Sequence, residues 1–443
     1  MVKIHTVGGF SEVGKNMAVI ELDEDAFIID EGFFLPAIVS MQERDNVMTE
    51  RKLKNIGAIP EDSVVESIRS KVCAQFISHA HLDHVGAVPF LSDRYEAPIY
   101  GTPFTIEVLD SLLKDNDIVL KNKINRIKPN TTFYVQGKNQ KYKIDFIHMT
   151  HSTVQCSMVA IHTKEGVVLF SGDFKLDDTP VLGPIPNYKR LKEIGKEGVV
   201  VFIVNSLYSG TPNKTPSESH ARELLRKTLI DIENKHEGMI VTTFASHIAR
   251  LKSIVEFGKK LDREVVFLGR SLDKYSTAAK NSNLAPFLNS IKIAKYRRQV
   301  ERTLQKVEKK RKDYLVVCTG HQGEPGSILE RLSRHQLPFR ITSQDNIIFS
   351  SSVIPSPVNI EQFAKMEARL KKSKPKIYRD LHVSGHGREE DLKETIKMVQ
   401  PKHIIPWHGD LKKTRPMVEL MTQFGYRLGK TCHLPQNGEV LEL

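Results

Sequence analysis

Residues 78–84 read Ser-His-Ala-His-Leu-Asp-His and place three histidines and one aspartate within six residues. Neutral imidazoles and carboxylates are ligands that Zn²⁺ or Mn²⁺ accepts without redox chemistry. The apolar run at 72–77 indicates a buried strand that ends where these side chains begin, and the run at 85–91 predicts the start of a helix. The spacing H-x-H-x-D-H therefore predicts a loop that holds two cations, with a chance cluster of surface histidines as the alternative.

Three further side chains complete this candidate metal site. His151, Asp173 and His408 each follow an apolar run that predicts a strand. A single histidine at a strand end is usually structural, but the joint pattern favours a shared site. Two zinc-type ions need about seven protein ligands and a bridging water, which is the number that the cluster and these three residues supply.

The composition is that of an ordinary globular chain with a basic surplus. It has 443 residues, of which 40% are hydrophobic and 27% charged, and a formal net charge of +12. This length predicts more than one folded unit. The positive charge favours a polyanionic partner, nucleic acid before a membrane, although a generally basic proteome would give the same value.

The cysteines and the hydropathy pattern concern the cellular compartment. Four cysteines lie far apart with no C-x-x-C pair, which predicts buried free thiols in a reducing compartment. The N-terminus lacks a secretory apolar core, and no run of 18 apolar residues predicts a membrane span. We therefore expect a cytoplasmic protein without a membrane partner.

The chain divides into three segments by the pattern of predicted strands and helices. Residues 1–205 alternate short strands with loops, whereas residues 206–375 alternate helices with strands, as in an α/β unit. Residues 376–443 then bring two more histidine motifs after strands. If those motifs complete the metal site, the second segment is an insertion between two pieces of the first. The strands are predicted at 17–22, 26–30, 143–148, 158–162, 167–170, 198–204, 239–244 and 264–268, and the helices at 217–234 and 248–261.

Residues 295–312 form a basic segment with helical spacing. They include nine lysines and arginines and two glutamates. A solvated helix face is one interpretation, and an arm that faces RNA is the other.

Motifs along nearly the whole chain resemble those of the ribonuclease J family, in the β-CASP branch of the metallo-β-lactamase superfamily, and its shorter archaeal type. The metal pattern is shared across the superfamily, whereas T-G-H-Q-G-E-P and H-V-S-G-H are narrower. The motifs are V-G-G-F-S-E-V-G-K-N-M at 7–17, I-I-D-E-G at 28–32, H-A-H-L-D-H-V-G-A-V-P-F-L at 79–91, S-G-D-F-K-L-D-D-T-P at 171–180, F-A-S-H-I-A-R-L at 244–251, G-R-S at 269–271, T-G-H-Q-G-E-P at 319–325, F-S-S-S-V-I-P at 349–355 and H-V-S-G-H at 382–386.

The resemblance implies a fold, an activity and a set of metal ligands. The fold would be an αββα metallo-β-lactamase sandwich, formed by 1–205 and 376–443, with an inserted α/β β-CASP domain at 206–375. The activity would be hydrolysis of RNA with two divalent ions, zinc favoured and manganese second. His79, His81 and His151 would hold one ion, and Asp83, His84 and His408 the other, with Asp173 bridging and Asp30 orienting the ligand loop.

The resemblance also implies how RNA is bound and cut. The partner would be single-stranded RNA with a 5′-monophosphate end, degraded in the 5′→3′ direction, with internal cleavage as a second activity. His386 would donate a proton or hydrogen bond to the leaving oxygen. Strand-to-helix turns aim backbone donors at anions, and the phosphate pocket would comprise Ala245, Ser246, His247, Arg270, His382, Val383, Ser384, Gly385 and His386. The family also predicts a homodimer.

One position departs from the family pattern. Asn205 stands where β-CASP proteins carry an acid, and an amide can neither ionise nor take up a proton. Three explanations remain: orienting His386 is the whole role, a nearby acid substitutes, or the residue is an engineered inactivating change. Two other functions compete with the 5′→3′ exonuclease. One is an endonuclease of the RNA 3′-processing type, and the other, motivated by Asn205, is an RNA-binding protein with reduced catalysis.

Overall fold

The structure is a computed structural model that describes residues 1–42, 48–231 and 237–443. Up to residue 205 the elements are β1 (Val2–Gly8), β2 (Met17–Leu22), β3 (Asp25–Ile29), α1 (Leu35–Gln42), α2 (Glu50–Asn55), β4 (Val72–Ile77), α3 (Leu82–Val85), α4 (Val88–Leu91), β5 (Ile99–Gly101), α5 (Pro103–Asp115), β6 (Ile124–Arg126), β7 (Thr131–Gln136), β8 (Lys141–His148), β9 (Ser157–His162), β10 (Val167–Phe170), α6 (Tyr188–Glu197) and β11 (Val199–Asn205).

The second half of the chain continues with more helices. Its elements are α7 (Glu218–Asp231), β12 (Met239–Thr242), α8 (Ile248–Lys260), β13 (Glu264–Leu268), α9 (Arg270–Asn281), β14 (Lys292–Ala294), α10 (Arg297–Lys309), β15 (Tyr314–Cys318), α11 (Ile328–Ser333), β16 (Asn346–Phe349), α12 (Pro357–Lys372), β17 (Lys376–Tyr378), α13 (Glu389–Val399), β18 (His403–Trp407), α14 (Leu411–Thr422) and β19 (Val440–Glu442).

Two mixed sheets form a sandwich. Their strand orders are β19-β1-β2-β3-β4-β5-β6 and β18-β11-β10-β9-β8-β7. The side chains between them are apolar and buried, including Phe27, Phe76, Phe146, Phe170 and Trp407. Helices α6, α13 and α14 cover the outer face of the second sheet. The predicted αββα architecture is confirmed, and β18 and β19 bring the last segment of the chain into both sheets.

The inserted segment forms a third sheet of order β14-β13-β15-β12-β16-β17, in which every pairing is parallel. Apolar clusters lie on both faces under helices, as expected when parallel strands are buried on both sides. The carboxyl ends of parallel strands lie at one edge, where open α/β sheets bind ligands. The proposed boundary at 375 falls just before β17, which still belongs to this sheet.

One predicted helix differs from the structure, and another is described only in part. The helix predicted over 85–91 is interrupted, because the amide of Ala87 donates to the carbonyl of Glu31 at 2.9 Å instead of continuing α3. The helix predicted at 217–234 is described as α7, and residues 232–234 lie outside the described residues. Among the helices that the structure describes, none is long and apolar enough to cross a membrane.

Candidate active site

The seven predicted ligands lie together in two groups that share Asp173. One group is His79, His81, His151 and Asp173, and the other is Asp83, His84, Asp173 and His408; within each group the candidate ligand atoms lie within 4.8 Å of one another. Oδ2 of Asp173 is 3.6 Å from Nε2 of both His79 and His151, and 3.2 Å from Nε2 of His84. A carboxylate between two groups of imidazoles is suited to bridging two cations.

Strand ends deliver these side chains to one place. His79 follows β4, Asp173 follows β10, and His408 follows β18. The turn after β10 needs Gly172, whose φ is 53°, and a Cβ there would lie 3.0 Å from the Cβ of Ser78. His408 itself has a φ of 67°, which is uncommon outside glycine, and its amide donates to Gly9 at 2.8 Å. The β1–β2 loop thus holds the last ligand in place.

Two buried polar residues orient the ligands. Asp30 accepts hydrogen bonds from the backbone and hydroxyl of Ser78 at 2.7 and 2.8 Å, and its Oδ2 lies 2.7 Å from His84 Nδ1. Asn16 Oδ1 lies 3.1 Å from Nδ1 of His408, which leaves that ring's Nε2 toward the cluster. The sequence analysis did not single out Asn16, although it lies in the motif at 7–17.

The electrostatics favour cations at this cluster. Burial lowers the pKa of His81 and His408 to about 3, so both imidazoles are neutral at pH 7. Burial would raise the pKa of Asp173, but the facing histidines outweigh it and hold that pKa well below its usual range.

Two observations support a fit to two divalent ions. Nε2 of His79 is buried with no hydrogen-bond partner among the described residues, at the point where the first group converges. Such buried orphan atoms are uncommon and usually mark a missing partner. The donor set of five imidazoles and two carboxylates also suits zinc or manganese.

Asn205 and His386 lie against the shared aspartate. The amide of Asn205 donates to Asp173 Oδ1 at 2.6 Å and lies 3.2 Å from His386 Nδ1. Its orientation is fixed because its Oδ1 accepts the Leu207 amide at 3.1 Å. His386 Nδ1 therefore accepts a hydrogen bond, which leaves the proton on Nε2. Burial lowers the pKa of His386, so the ring is predominantly neutral at pH 7.

A second histidine cluster includes the first residue of the H-V-S-G-H loop and lies at the carboxyl edge of the third sheet. The ring of Phe244 lies 4.1 Å from that of His321 and 5.9 Å from that of His382. Both ring nitrogens of His321 and the Nδ1 atoms of His247 and His382 have no partner among the described residues. His321, which is only 4% exposed, was not among the predicted site residues, although it lies in the quoted T-G-H-Q-G-E-P motif.

The predicted backbone donors at this edge are partly engaged elsewhere. The His247 amide donates to the Phe244 carbonyl at 3.2 Å, and the His386 amide donates to the Ser384 hydroxyl at 3.0 Å. These two amides hold their own turns and are not free for an anion. The imidazole nitrogens of the cluster add to the other donors predicted for these turns.

The remaining predicted pocket residues lie at different depths. Ala245 and Ser246 are 7% and 9% exposed, and Val383 is also buried. The carbonyl of Gly385 lies 2.7 Å from His151 Nδ1, which ties the loop to a metal ligand. Arg270 is exposed at the start of α9, and among the residues that the structure describes it makes no hydrogen bond with this group.

A buried ion pair lies between the second histidine cluster and the start of the H-V-S-G-H loop. Arg250 is fully buried and pairs with both oxygens of Glu218 at 2.6 and 2.9 Å. Its other nitrogen donates to the carbonyls of Ser350 and Leu381, each at 2.9 Å. Arg250 therefore holds the start of the H-V-S-G-H loop against the third sheet.

Three family models match successive parts of the chain, and the first match runs past the predicted boundary at 205. Residues 11–242 match the family model for the metallo-β-lactamase superfamily, residues 236–366 that for the ribonuclease J β-CASP domain, and residues 373–435 that for the Zn-dependent metallo-hydrolase RNA specificity domain. Ribonuclease J of Pyrococcus abyssi is 38% identical over 100% of this chain and 97% of its own.

The chain belongs to the ribonuclease J family. The Methanocaldococcus jannaschii member is 36% identical over 99% of this chain and 98% of its own, whereas the Thermus thermophilus member is 31% identical over 100% and 74%. These proportions confirm the resemblance to the archaeal type. A crystal structure of an Enterococcus faecalis protein of unknown function shares the fold at a TM-score of 0.65 and 16% identity, with 100% of both chains covered. Membership makes the chain a metal-dependent ribonuclease.

Proposed function

We propose that this chain removes nucleotides in the 5′→3′ direction from single-stranded RNA that carries a 5′-monophosphate, with internal cleavage as a second activity. The observation that carries the proposal is the buried histidine cluster beside the metal ligands. A 5′→3′ exonuclease needs a binding site for the end of its substrate next to the cleavage site, and the histidine cluster lies in that place.

The histidine cluster has the chemistry of a phosphate pocket. Burial lowers the pKa of His382 to about 2 and also lowers the pKa values of His247 and His321. The neutral rings of His321 and His382 each offer one N–H donor that a phosphate oxygen would accept, whereas Nε2 of His247 faces the Glu218 carboxylate at 3.3 Å and its free Nδ1 atom is an acceptor. A bound phosphate dianion would in turn raise these pKa values, because an opposite charge favours the protonated ring.

The spacing between pocket and metal cluster supports cleavage at the first nucleotide. His382 lies in the histidine cluster, and His386, four residues later, lies 3.8 Å from Asp173 Oδ2. Four residues span at most about 14 Å. This distance is short enough for the terminal phosphate and the cleaved phosphate to belong to neighbouring nucleotides.

The chain's own residues would position the reaction. Asn205 fixes both the Asp173 carboxylate and the His386 ring through the two hydrogens of one amide. The Nε2–H group of His386 can then donate a hydrogen bond to the leaving oxygen, and only a ring that is already protonated can also transfer a proton to it and return to neutral imidazole. Two ions, zinc favoured over manganese, would be held by the seven ligands and when bound would activate water and neutralise phosphate charge.

Asn205 also supports a second candidate, an RNA-binding protein with reduced catalysis. The amide keeps the hydrogen bonds of the site but supplies no negative charge. Tight RNA binding without nucleotide release in saturating Mn²⁺ or Zn²⁺ would favour this candidate over the exonuclease.

The test compares RNAs that differ only at the 5′ end. We expect RNA with a 5′-monophosphate to be degraded much faster than the same RNA with a 5′-triphosphate, with mononucleotides as products. Equal rates with internal fragments would favour an endonuclease of the 3′-processing type. The cytoplasmic location and the homodimer remain predictions. None of the four cysteines is disulfide-bonded, as predicted for a reducing compartment. Light scattering would measure whether the protein is a dimer.

A further inference from the structure

The exposed edge of the third sheet beyond the histidine cluster carries a second group of basic side chains. Gly269, which follows β13, donates its amide to Ala294 at the end of β14, at 2.9 Å. The residues that follow these two strand ends are therefore neighbours. They are Arg270 on one side and Lys295, Tyr296, Arg297 and Arg298 on the other.

This edge patch, defined as Arg270 and 295–298, has the composition of a single-strand binding surface. Tyr296 is 59% exposed, and the Lys295 ammonium lies 5.4 Å from the centre of its ring. Arg270 and Arg298 are exposed and have no ion-pair partner within the described part of the chain. Basic side chains beside an exposed aromatic ring can contact phosphates while a base stacks on the ring.

The patch lies on the same edge as the candidate active site. All strands of the third sheet are parallel, so the ends of β13 and β14 share an edge with β12 and β15, which lead to His247 and His321. Helix α9 also packs on α5, with the ring centres of Tyr275 and Phe104 6.4 Å apart. Arg270 and Tyr275 are separated by about 7.5 Å along the helix axis. Burial, and after it the negative charge of the candidate ligand Asp83, raise the pKa of the Tyr275 hydroxyl. This agrees with a position of α9 near the metal ligands.

The rest of the basic segment leads away from that edge. Val300, Leu304 and Val307 pack α10 against the sheet, and the helix runs back for about 20 Å. Arg311 then pairs with Asp345 at 2.7 Å, immediately before the amino end of β16. Lys306, Lys309 and Lys312 are therefore exposed at the opposite edge of the same domain.

We propose that the edge patch binds the single-stranded RNA that lies beyond the cleaved nucleotide, and that the basic residues of 306–312 do not. This inference extends the proposed function, because it assumes that the RNA end lies at the histidine cluster beside the metal ligands. RNA is favoured over an acidic protein because the patch combines arginines with an exposed aromatic ring on the edge that faces the nuclease site.

The experiment compares two triple variants of the full chain that remove equal charge. One is Lys295→Ala/Arg297→Ala/Arg298→Ala, and the control is Lys306→Ala/Lys309→Ala/Lys312→Ala. Binding of a long single-stranded RNA that carries non-hydrolysable linkages is measured against salt concentration in the metal-loaded protein. Each phosphate contact contributes about 0.7 to the slope of log affinity against log salt. We expect the edge variant to lose about 2 from that slope and the control to keep the wild-type value.

A second substrate separates this inference from the proposed function. A 5′-monophosphorylated dinucleotide is too short to reach the patch, so the edge variant should cleave it at the wild-type rate, while its KM for long RNA rises at least tenfold. Equal slopes in the two variants, or an equal loss on the dinucleotide, would overturn the inference. If the salt slopes of the two variants differ but a 5′-monophosphate does not increase the cleavage rate, RNA binding by the edge patch is supported and the proposed recognition of the 5′ end is wrong.

Discussion

The substitution Asn205→Asp is expected to raise the rate of RNA hydrolysis and extend it to higher pH. In the wild-type chain the Asn205 amide donates to His386 Nδ1, and burial lowers the pKa of that ring. A carboxylate can only accept, so the His386 Nδ1 atom would have to carry a proton. An opposite charge at this distance raises a histidine pKa by about 1–3 units.

The direction of the pH effect follows from the role of the ring. A proton donor is active below its pKa, so a higher His386 pKa moves the alkaline limb of kcat to higher pH. The same carboxylate would face Asp173, whose Oδ1 lies 2.6 Å from the Asn205 nitrogen. Two unit charges at that separation repel by about 6 kcal/mol at an effective dielectric of 20. In the metal-free protein one of the two carboxyls should therefore take up a proton, and the variant should depend more on metal for its stability.

The assay measures kcat between pH 5 and 9 on 5′-monophosphorylated RNA at saturating metal, together with Tm with and without a chelator. Asn205→Leu is the control, since it removes both hydrogen bonds without adding charge and should reduce kcat. If the pH profile of Asn205→Asp overlays that of the wild type and the chelator lowers both Tm values equally, Asn205 does not orient His386 in the way described.

Three further predictions follow from buried polar contacts. Asp30→Asn removes the charge that holds His84, and the affinity for zinc measured by chelator competition should fall about 10–100-fold; an unchanged affinity would contradict the orienting role. Burial alone would raise the pKa of the Glu218 carboxyl above 4.5, but the Arg250 guanidinium outweighs burial and holds that pKa well below 4.5. The ion pair therefore stabilises the folded state above pH 4.5, and this stabilisation is lost as the pH falls through the lowered pKa. Urea unfolding at pH 7 and pH 3.5 should reveal that loss in the wild type and a smaller one in Arg250→Met. His321→Phe should reduce the preference for monophosphate over triphosphate ends about tenfold, because a buried donor to a charged group is lost, with cleavage of internal sites as the unaffected comparison.

The metal ligands were predictable because histidines and aspartates follow strands that are recognisable from their apolar sequences. His79 and Asp173 follow β4 and β10, whose apolar runs are evident in the sequence. The parallel arrangement of the inserted sheet also follows from alternating helices and strands. Residue types and the succession of strands and helices along the chain are local enough to be read from a single sequence.

Other features depend on contacts between distant segments. Asn16 is an ordinary polar residue until the fold places it 3.1 Å from His408, across 392 positions of sequence. His321 becomes notable only when burial leaves both its nitrogens without a partner among the described residues. The break between α3 and α4 comes from the carbonyl of Glu31, which takes the Ala87 amide. Sequence periodicity carries no information about such partners.

The proposed function requires that the histidine cluster receives the 5′ end of an RNA and that the metal ligands beside it cut the chain there. Single-stranded RNA labelled on its 5′-monophosphate, incubated with the metal-loaded protein, tests this directly. The first labelled product should be a mononucleotide at every time point, and release should be much slower from a 5′-triphosphate. Labelled fragments of intermediate length, formed at the same rate from both RNAs, would contradict the claim.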